Sequence, residues 1–258
     1  MSLLTNLLHY YNCDENTGTS LGSTLGSSNK TGTLSGTATW VAPGVVGASA
    51  LSIAGFVNPN YGMVQCAAPS GIQGATNVTV TFWVKINHTG NYQYATLAGA
   101  LFQGSFISRF EVVGGDTAKP RDINLSVCNG AASNVTVTNA LPSTGVWHHV
   151  AVVYDGAGAT DSDKVKLYVN GAVVTIPAWG AAVPSSLPNN TTYGWYFGRR
   201  SDTSGPGKHD MDEIGIWNRS LSAAEVLSVY NGGLAGQNFP FPGTVRRVGL
   251  STGITTGL

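Results

Sequence analysis

The sequence predicts an all-β protein, an antiparallel sandwich of two sheets. Runs of β-branched and aromatic residues recur at short intervals, and glycine-rich turns separate them. Trp147–Tyr154 is mostly aromatic and β-branched, which is typical of a strand buried in the middle of a sheet. Residues 164–169 alternate between apolar and polar, as in a half-buried strand, and Asn170-Gly171 is the preferred pair for a type I′ hairpin.

The other strands follow from the same patterns. In chain order we expect them at Leu7–Cys13, Ala50–Ile53, Val78–Ile86, Tyr94–Phe102, Ser105–Val113, Ile123–Cys128, Val135–Thr138, Tyr193–Gly198 and Glu213–Asn218. Within Val78–Ile86 the even-numbered residues are apolar and should face the other sheet, while the odd-numbered ones should face outward. The predicted core includes Val80, Phe82, Trp147, Val150, Val152 and Leu167.

One helix is signalled near the end of the chain. Ser222 followed by Glu225 forms a capping box, and Asn231-Gly232-Gly233 should end the helix after about two turns. We expect it to pack on the end of the sandwich. Asp155–Asp163, which is small and polar, is interpreted as a loop.

The last 22 residues form a separate tail in this interpretation, with one domain at 1–236 and the tail at 237–258. Each proline of Phe239-Pro240-Phe241-Pro242 favours an extended path. We expect Phe239 and Phe241 to be apolar anchors on another chain, with Arg246 or Arg247 bonding to carbonyls or acids. The alternative is that the tail packs along its own domain.

Composition excludes several classes of protein. Charged residues are 10% of the chain and the net charge is zero, so no basic footprint for nucleic acid is present. No apolar run reaches the length needed to span a membrane, and Met1–Thr5 lacks the features of a signal peptide. The three cysteines show no metal-binding spacing and are expected to be buried thiols. The low charge fits either packing within an assembly or a turn-rich β protein.

Several segments resemble the laminin-G-like, or concanavalin-A-like, jelly-roll family. They are LLHYYNCDENTGT from Leu7, VTVTFWVKI from Val78, WHHVAVVYDG with VKLYVNG from Trp147, and MDEIGIWNRSLSAAEV from Met211. The resemblance covers about residues 7 to 235 and implies a jelly-roll sandwich. It leaves function open, because this fold carries lectins, adhesion modules, hydrolases, lyases and structural proteins.

An enzymatic role is disfavoured by the pattern of acids. Glycosidases of this fold use acids at i, i+2 and i+4 of one strand, since two carboxyl groups must flank one bond. Asp210 and Asp212 meet the first two positions, but the third is Ile214, and Glu213 should point the opposite way. Adjacent His148 and His149 should face opposite sides and cannot chelate one ion together. We therefore expect no catalytic residues.

A structural calcium ion at Asp212 is a second implication of the resemblance. Related domains hold one with this aspartate and with carbonyls from the loop after the first strand. The family's loop aspartate is missing from the matching region 23–30, which weakens the set, since calcium takes six to eight oxygens. The alternative is that Asp212 caps a turn or pairs with Arg199 or Arg200.

Sugar binding is the commonest non-catalytic use of this fold, and it requires aromatic side chains that can stack on sugar faces. The candidates are Trp83, Tyr94 and Trp179. Trp179 lies in the loop segment IPAWGAAVP and is expected to be the most exposed, because loop aromatics on a rigid scaffold are often functional.

Three functions follow as hypotheses. The first is a non-catalytic structural or adhesion protein of a large assembly, at a virion surface (capsid decoration or tail) or outside the cell, as in standalone laminin-G-like phage proteins. Its partners would be other protein chains, in a homo-oligomer or with capsid or tail proteins, and glycans. The second is a lectin-like module of a secreted or cell-surface system. The third, a glycan hydrolase or lyase, is disfavoured by the acid pattern.

Overall fold

A computed structural model of the chain describes residues 2–26, 31–54, 56–57, 60–66, 72–87, 95–101, 107–116, 118–189, 195–198, 208–237 and 239–240. Its elements, in chain order, are strands and two helices: β1 (Leu7–Tyr11), β2 (Ser20–Leu21), β3 (Gly32–Ser35), β4 (Ala38–Val41), β5 (Ala50–Ile53), β6 (Phe56–Val57), β7 (Asn60–Tyr61), β8 (Met63–Cys66), β9 (Asn77–Ile86), β10 (Ala95–Leu101), β11 (Ser108–Gly114), β12 (Ile123–Asn129), β13 (Asn134–Val137), β14 (His148–Asp155), α1 (Asp161–Lys164), β15 (Val165–Val169), β16 (Ala172–Val174), β17 (Trp195–Gly198), β18 (His209–Trp217) and α2 (Ala223–Leu234).

Two eight-stranded antiparallel sheets form the sandwich. The first has the order β16-β15-β14-β9-β18-β5-β4, with β1 also paired to β18. The second has the order β13-β12-β11-β10-β17-β8-β3-β2, and β6 with β7 forms a separate hairpin. The order joins strands far apart in the chain, as a jelly roll does, and the predicted two-sheet all-β fold is confirmed.

The main core lies between the sheets, where the alternation of β9 predicted it. Val80, Phe82, Val150, Val152 and Leu167 are all at most 1% exposed. Trp147 is a correction, because it is only half-buried. It lies just before β14 begins, and the Nζ of Lys85 is 5.0 Å from the centre of its ring.

A second apolar cluster covers the outer face of the first sheet. Helix α2 begins at the predicted cap, with Ser222 and Glu225 in a reciprocal capping box, and Leu221 and Val226 are buried beside it. Instead of lying at the end of the sandwich, the helix lies over this face, where Tyr230 stacks on Trp83 at 5.7 Å between ring centres.

The sequence predicted that the helix ends at its glycine pair, but the helix continues to Leu234. A Cβ at Gly233 would collide with the indole of Trp83. This glycine therefore serves close packing of the helix on the sheet, where a helix stop was expected. The loop prediction at Asp155–Asp163 also missed one helical turn, α1, which Thr160 and Asp163 cap.

Phe239, which follows α2, packs against its own domain. Phe239 is buried in the second cluster, stacked on Tyr10 at 4.4 Å and edge-on to Trp217 at 6.2 Å between ring centres. This corrects the expectation that Phe239 anchors on another chain, because its apolar surface is already used here. Phe241, Arg246 and Arg247 lie outside the described residues.

Two further features bear on the sequence predictions. Cys13, Cys66 and Cys128 are buried free thiols, as expected. In the described part of the chain, no helix is both long and apolar enough to cross a membrane.

Candidate functional site

An open pocket of about 560 Å³ lies at one end of the first sheet. Strand pairing builds its floor, since Asp210 of β18 lies opposite Lys85 of β9 on one side and Ser52 of β5 on the other. The chain that precedes β14 closes the pocket and is tied to β9 by a 2.9 Å bond from Gly145 N to Ile86 O. The lining residues are Val41, Ser52, Ile86, Asn87, Thr144, Gly145, Lys208 and Asp210.

Asp210 is the polar centre of this pocket. It is 4% exposed, and both of its carboxylate oxygens accept bonds. Ser52 Oγ donates to Oδ1 at 2.7 Å, and Asn87 Nδ2 donates to Oδ2 at 2.8 Å. The Lys85 ammonium lies 2.8 Å from the same Oδ2. The carboxylate is therefore held in one orientation as an acceptor.

The same lysine joins the pocket to an aromatic side chain. Lys85 Nζ lies over the ring of half-buried Trp147 while it pairs with Asp210. A fixed carboxylate, an amide, a hydroxyl and a neighbouring indole are the groups with which proteins recognise sugar hydroxyls and faces. This arrangement can bind a small polar ligand.

Asp212 has a different environment from Asp210. It is fully buried and accepts three backbone N–H groups, from Val45 at 2.8 Å, Val46 at 3.2 Å and Glu213 at 3.0 Å. Burial raises the pKa of Asp212 to about 8, although these N–H groups lower it. Asp212 thus caps a loop, which is the alternative that the sequence left open.

The donors around Asp212 do not fit a calcium ion. Calcium needs a shell of oxygens, whereas here N–H groups occupy the acceptor positions of the carboxylate. Among the described residues, no group of three His, Cys, Asp or Glu side chains is placed to hold a metal. Arg199 and Arg200, the other partners considered for Asp212, lie outside the described residues.

Glu213 departs from the alternation expected for its strand. It has a φ of +51°, and the pairing of β18 with β9 shifts register between Asp212 and Gly215, which is a β-bulge. Its carboxylate accepts a bond from the Tyr10 hydroxyl in the second apolar cluster, so it lies on the outer side of the sheet. The sequence predicted that Glu213 points to the face opposite Asp210 and Asp212, and the bulge is the reason that this prediction is wrong. Burial raises the pKa of Glu213 to about 8.

Two of the predicted sugar-binding aromatics are placed elsewhere than expected. Trp83 is 4% exposed beneath α2, so it cannot stack on a ligand. Trp179 is partly buried against the main core, where its loop closes the edge of the sandwich through a 3.0 Å bond from Gly180 N to Asn134 O. Tyr94 lies outside the described residues.

The adjacent histidines belong to separate environments, as strand alternation predicted. His148 bonds Ser143 and Asn170 through its two ring nitrogens. His149 packs against Trp83 and Tyr230 instead. Among the described residues, no group bonds the ring nitrogens of both histidines, which agrees with a structural role.

Sequence reasoning missed most of the pocket. It singled out Asp210, as a failed catalytic acid, and placed Lys85 on the outward face of its strand. Asn87, Ser52 and Thr144 come from three distant segments and carry no local motif.

Comparison with protein families identifies the domain type. A laminin-G-type family model, described as the concanavalin A-like lectin/glucanases superfamily, matches residues 58–227. No curated protein sequence matches the chain.

Solved structures share the fold at low identity. The binding domain of botulinum neurotoxin DC in complex with rat synaptotagmin II aligns with 12% identity and a TM-score of 0.63, over 90% of this chain and 52% of that one. A structure of botulinum neurotoxin type C, whose cell entry depends on interaction with two ganglioside molecules, aligns with 14% identity and a TM-score of 0.65, over 90% and 52%. The receptor binding domain of botulinum neurotoxin D aligns with 17% identity and a TM-score of 0.62, over 90% and 54%. The chain spans about half the length of these structures, and the likeness shows the fold.

Proposed function

Because the chain belongs to the concanavalin A-like lectin/glucanases superfamily, we propose that it is a non-catalytic glycan-binding module and that the Asp210 pocket is its binding site. The observation that carries this proposal is the fixed carboxylate of Asp210 at the floor of an open pocket. A ligand hydroxyl can bond there without waiting for the side chain to become ordered, which lowers the entropic cost of binding.

The polar groups of the pocket support a sugar ligand over an apolar one. Asn87 and Ser52 hold Asp210, Thr144 offers a hydroxyl at the rim, and the half-buried indole of Trp147 lies next to Lys85. Ligand sites of this kind combine a few fixed polar groups with aromatic surface. The similar botulinum neurotoxin type C structure concerns gangliosides, which are glycolipids, and this agrees with a glycan as ligand.

The acids of β18 argue against hydrolysis. A glycosidase needs two carboxyl groups that face one bond, one of them able to give up a proton. Asp210 is tied by three donors and Asp212 by three backbone N–H groups, while Glu213 bonds Tyr10 on the outer side of the sheet. Their separate partners leave no pair to work on a shared substrate.

Filling the pocket should weaken glycan binding. Thr144→Trp places a large side chain at the exposed rim without removing any buried contact, and we expect at least about a tenfold loss of affinity, roughly 1.4 kcal/mol. Binding of the purified protein to immobilised oligosaccharides measures this loss. Thr138→Trp, at an exposed threonine outside the pocket, is the matched control and should bind like wild type.

Asn87→Ala adds a chemical test of the same site. It removes one donor to Asp210 and should weaken binding while the fold persists. If wild type binds no glycan on a broad array, or if Thr144→Trp binds as well as Thr138→Trp, this pocket is not a glycan site.

We further propose, as a second role that is compatible with the first, that the domain is part of a large assembly such as a virion surface. Its 10% content of charged residues supports this, because a surface of hydroxyls and amides suits packing against other protein chains. The protein should then co-sediment with particles from its source in a sucrose gradient. Recovery in the soluble fraction alone would contradict the assembly role and leave glycan binding unaffected.

A further inference from the structure

The loop of residues 42–49 connects two strands that line the pocket, and the carboxylates of Asp14 and Asp212 both contact it. Residues 42–49 connect β4, whose last residue Val41 lines the pocket, to β5, which carries Ser52. Asp212 of β18 approaches the first half of this loop, and Asp14, which follows β1, approaches the second half. The geometry of the loop therefore bears on the geometry of the pocket.

Asp212 holds the first half through backbone N–H groups. Its Oδ2 accepts from Val45 and Val46 at 2.8 and 3.2 Å, and its Oδ1 accepts from the N–H of Glu213 at 3.0 Å. A Cβ at Gly44 would collide with the same Oδ2. The glycine lets the carboxylate reach the backbone.

Asp14 holds the second half in the same way. Its Oδ1 accepts from Ala48 N at 2.6 Å and Ser49 N at 3.3 Å, and its Oδ2 accepts from the Asn12 amide at 3.1 Å. Gly47 has a φ of +71°, and a Cβ on it would collide with the Asp14 carboxylate. The Ser49 hydroxyl adds a 2.7 Å bond to Cys13 O.

These bonds give the two carboxylates what a cation would give them. The positive ends of N–H dipoles face the oxygens of both acids, so N–H groups already occupy the acceptor positions that a metal ion would need. The two acids therefore do not need a metal ion to lie close to the same loop. The same kind of contact recurs elsewhere in the chain, where other acids accept hydrogen bonds from backbone N–H groups. These acids are Glu15, Asp116, Asp122, Asp155, Asp161 and Glu225.

We propose that Asp14, Asp212 and the loop 42–49 form a metal-free carboxylate clasp, so that the fold and its pocket are independent of divalent cations. The resemblance to laminin-G-like domains implies a calcium ion at Asp212, and the donors found here take its place. The proposed clasp does not depend on the proposed glycan binding, because it is tested by the thermal stability of the domain.

Thermal unfolding with and without calcium tests the proposal. The melting temperature of wild type should be the same in excess calcium and in excess EDTA, and calorimetric titration with calcium should show no binding. Asp14→Asn and Asp212→Asn should each lower the melting temperature by the same amount in both conditions. A calcium-dependent rise that Asp212→Asn abolishes would overturn the clasp.

Gly47→Ala tests the loop side without touching either acid. It should lower the melting temperature by roughly 5 °C or more, because the new methyl group displaces Asp14. Gly130→Ala is the matched control, since Gly130 also has a positive φ, +85°, but no atom near its Cβ position. Equal shifts for the two variants would mean that backbone strain alone explains the effect and that the contact with Asp14 adds nothing, which overturns the clasp.

Discussion

Phe82→Ala is expected to lower the free energy of unfolding by about 3–5 kcal/mol. Phe82 is completely buried in β9, the strand that lies between β14 and β18 in the first sheet. Val150 lies opposite it on β14, and the second sheet covers its face. Loss of the ring leaves a cavity in a place where strands on both sides prevent collapse.

Equilibrium unfolding in urea measures this loss. Val173→Ala is a suitable control, because Val173 is 66% exposed on the edge strand β16 and should change stability by only about 0.5 kcal/mol or less. A loss below about 1 kcal/mol for Phe82→Ala would mean that the core between the sheets can repack around the gap.

The alternation of β9 shows what the sequence can predict. It identified the inner face correctly from Val78 to Ile86, because one face of a strand in a sandwich must be apolar. It could not show what covers the outer face. Trp83 reads equally well as a ligand platform or as a contact for a helix, and only the packing of α2 and Tyr230 decides between them.

The strand β18 shows where local patterns fail. Period-two reasoning assumes an unbroken ladder, and the bulge at Glu213 resets the side-chain phase within one residue. The prediction began this strand at Glu213, whereas it begins at His209. The polar run from His209 to Glu213 reads as a loop or an active site, because the cross-strand and loop partners that satisfy these side chains are remote in sequence.

The pocket and the clasp share this dependence on distant segments. The side chains that bond Asp210 belong to Asn87 and Ser52, which are 123 and 158 positions away in the sequence. The loop residues that bond Asp212, Val46 and Val45, are 166 and 167 positions away. The resemblance to a family supplied the position of Asp212 and a calcium role for it. It did not supply Asp14 as the second acid, since Asp14 lies before the region where the family's loop aspartate was expected.

Acidification should weaken the fold through His149. Both ring nitrogens are buried and have no hydrogen-bond partner within the described part of the chain. The ring packs against Trp83 and Tyr230, and burial lowers the pKa of His149 to about 3. In the unfolded chain the pKa is about 6.5, so the unfolded state takes up the proton first. This contribution to stability is complete above about pH 6.5 and is lost as the pH falls toward 3. By pH 4 the loss should be about 3 kcal/mol.

Comparison of wild type with His149→Leu isolates that contribution. Asp212 and Glu213 act in the opposite direction, because their raised pKa values favour the folded state as the pH falls from about 8 toward 4. Their effect is common to both proteins and cancels in the difference. Urea unfolding at pH 7 and pH 4 should show that His149→Leu loses less stability on acidification than wild type does.

The adjacent histidine provides the control for this difference. His148→Gln should keep the wild-type response to pH more closely, because Ser143 and Asn170 bond its ring and oppose the effect of burial on its pKa. If wild type and His149→Leu lose equal stability between pH 7 and pH 4, then the folded state can accommodate the protonated ring of His149. In that case the contact between α2 and β14 opens locally on acidification and lets water reach the imidazolium, while the sandwich stays folded.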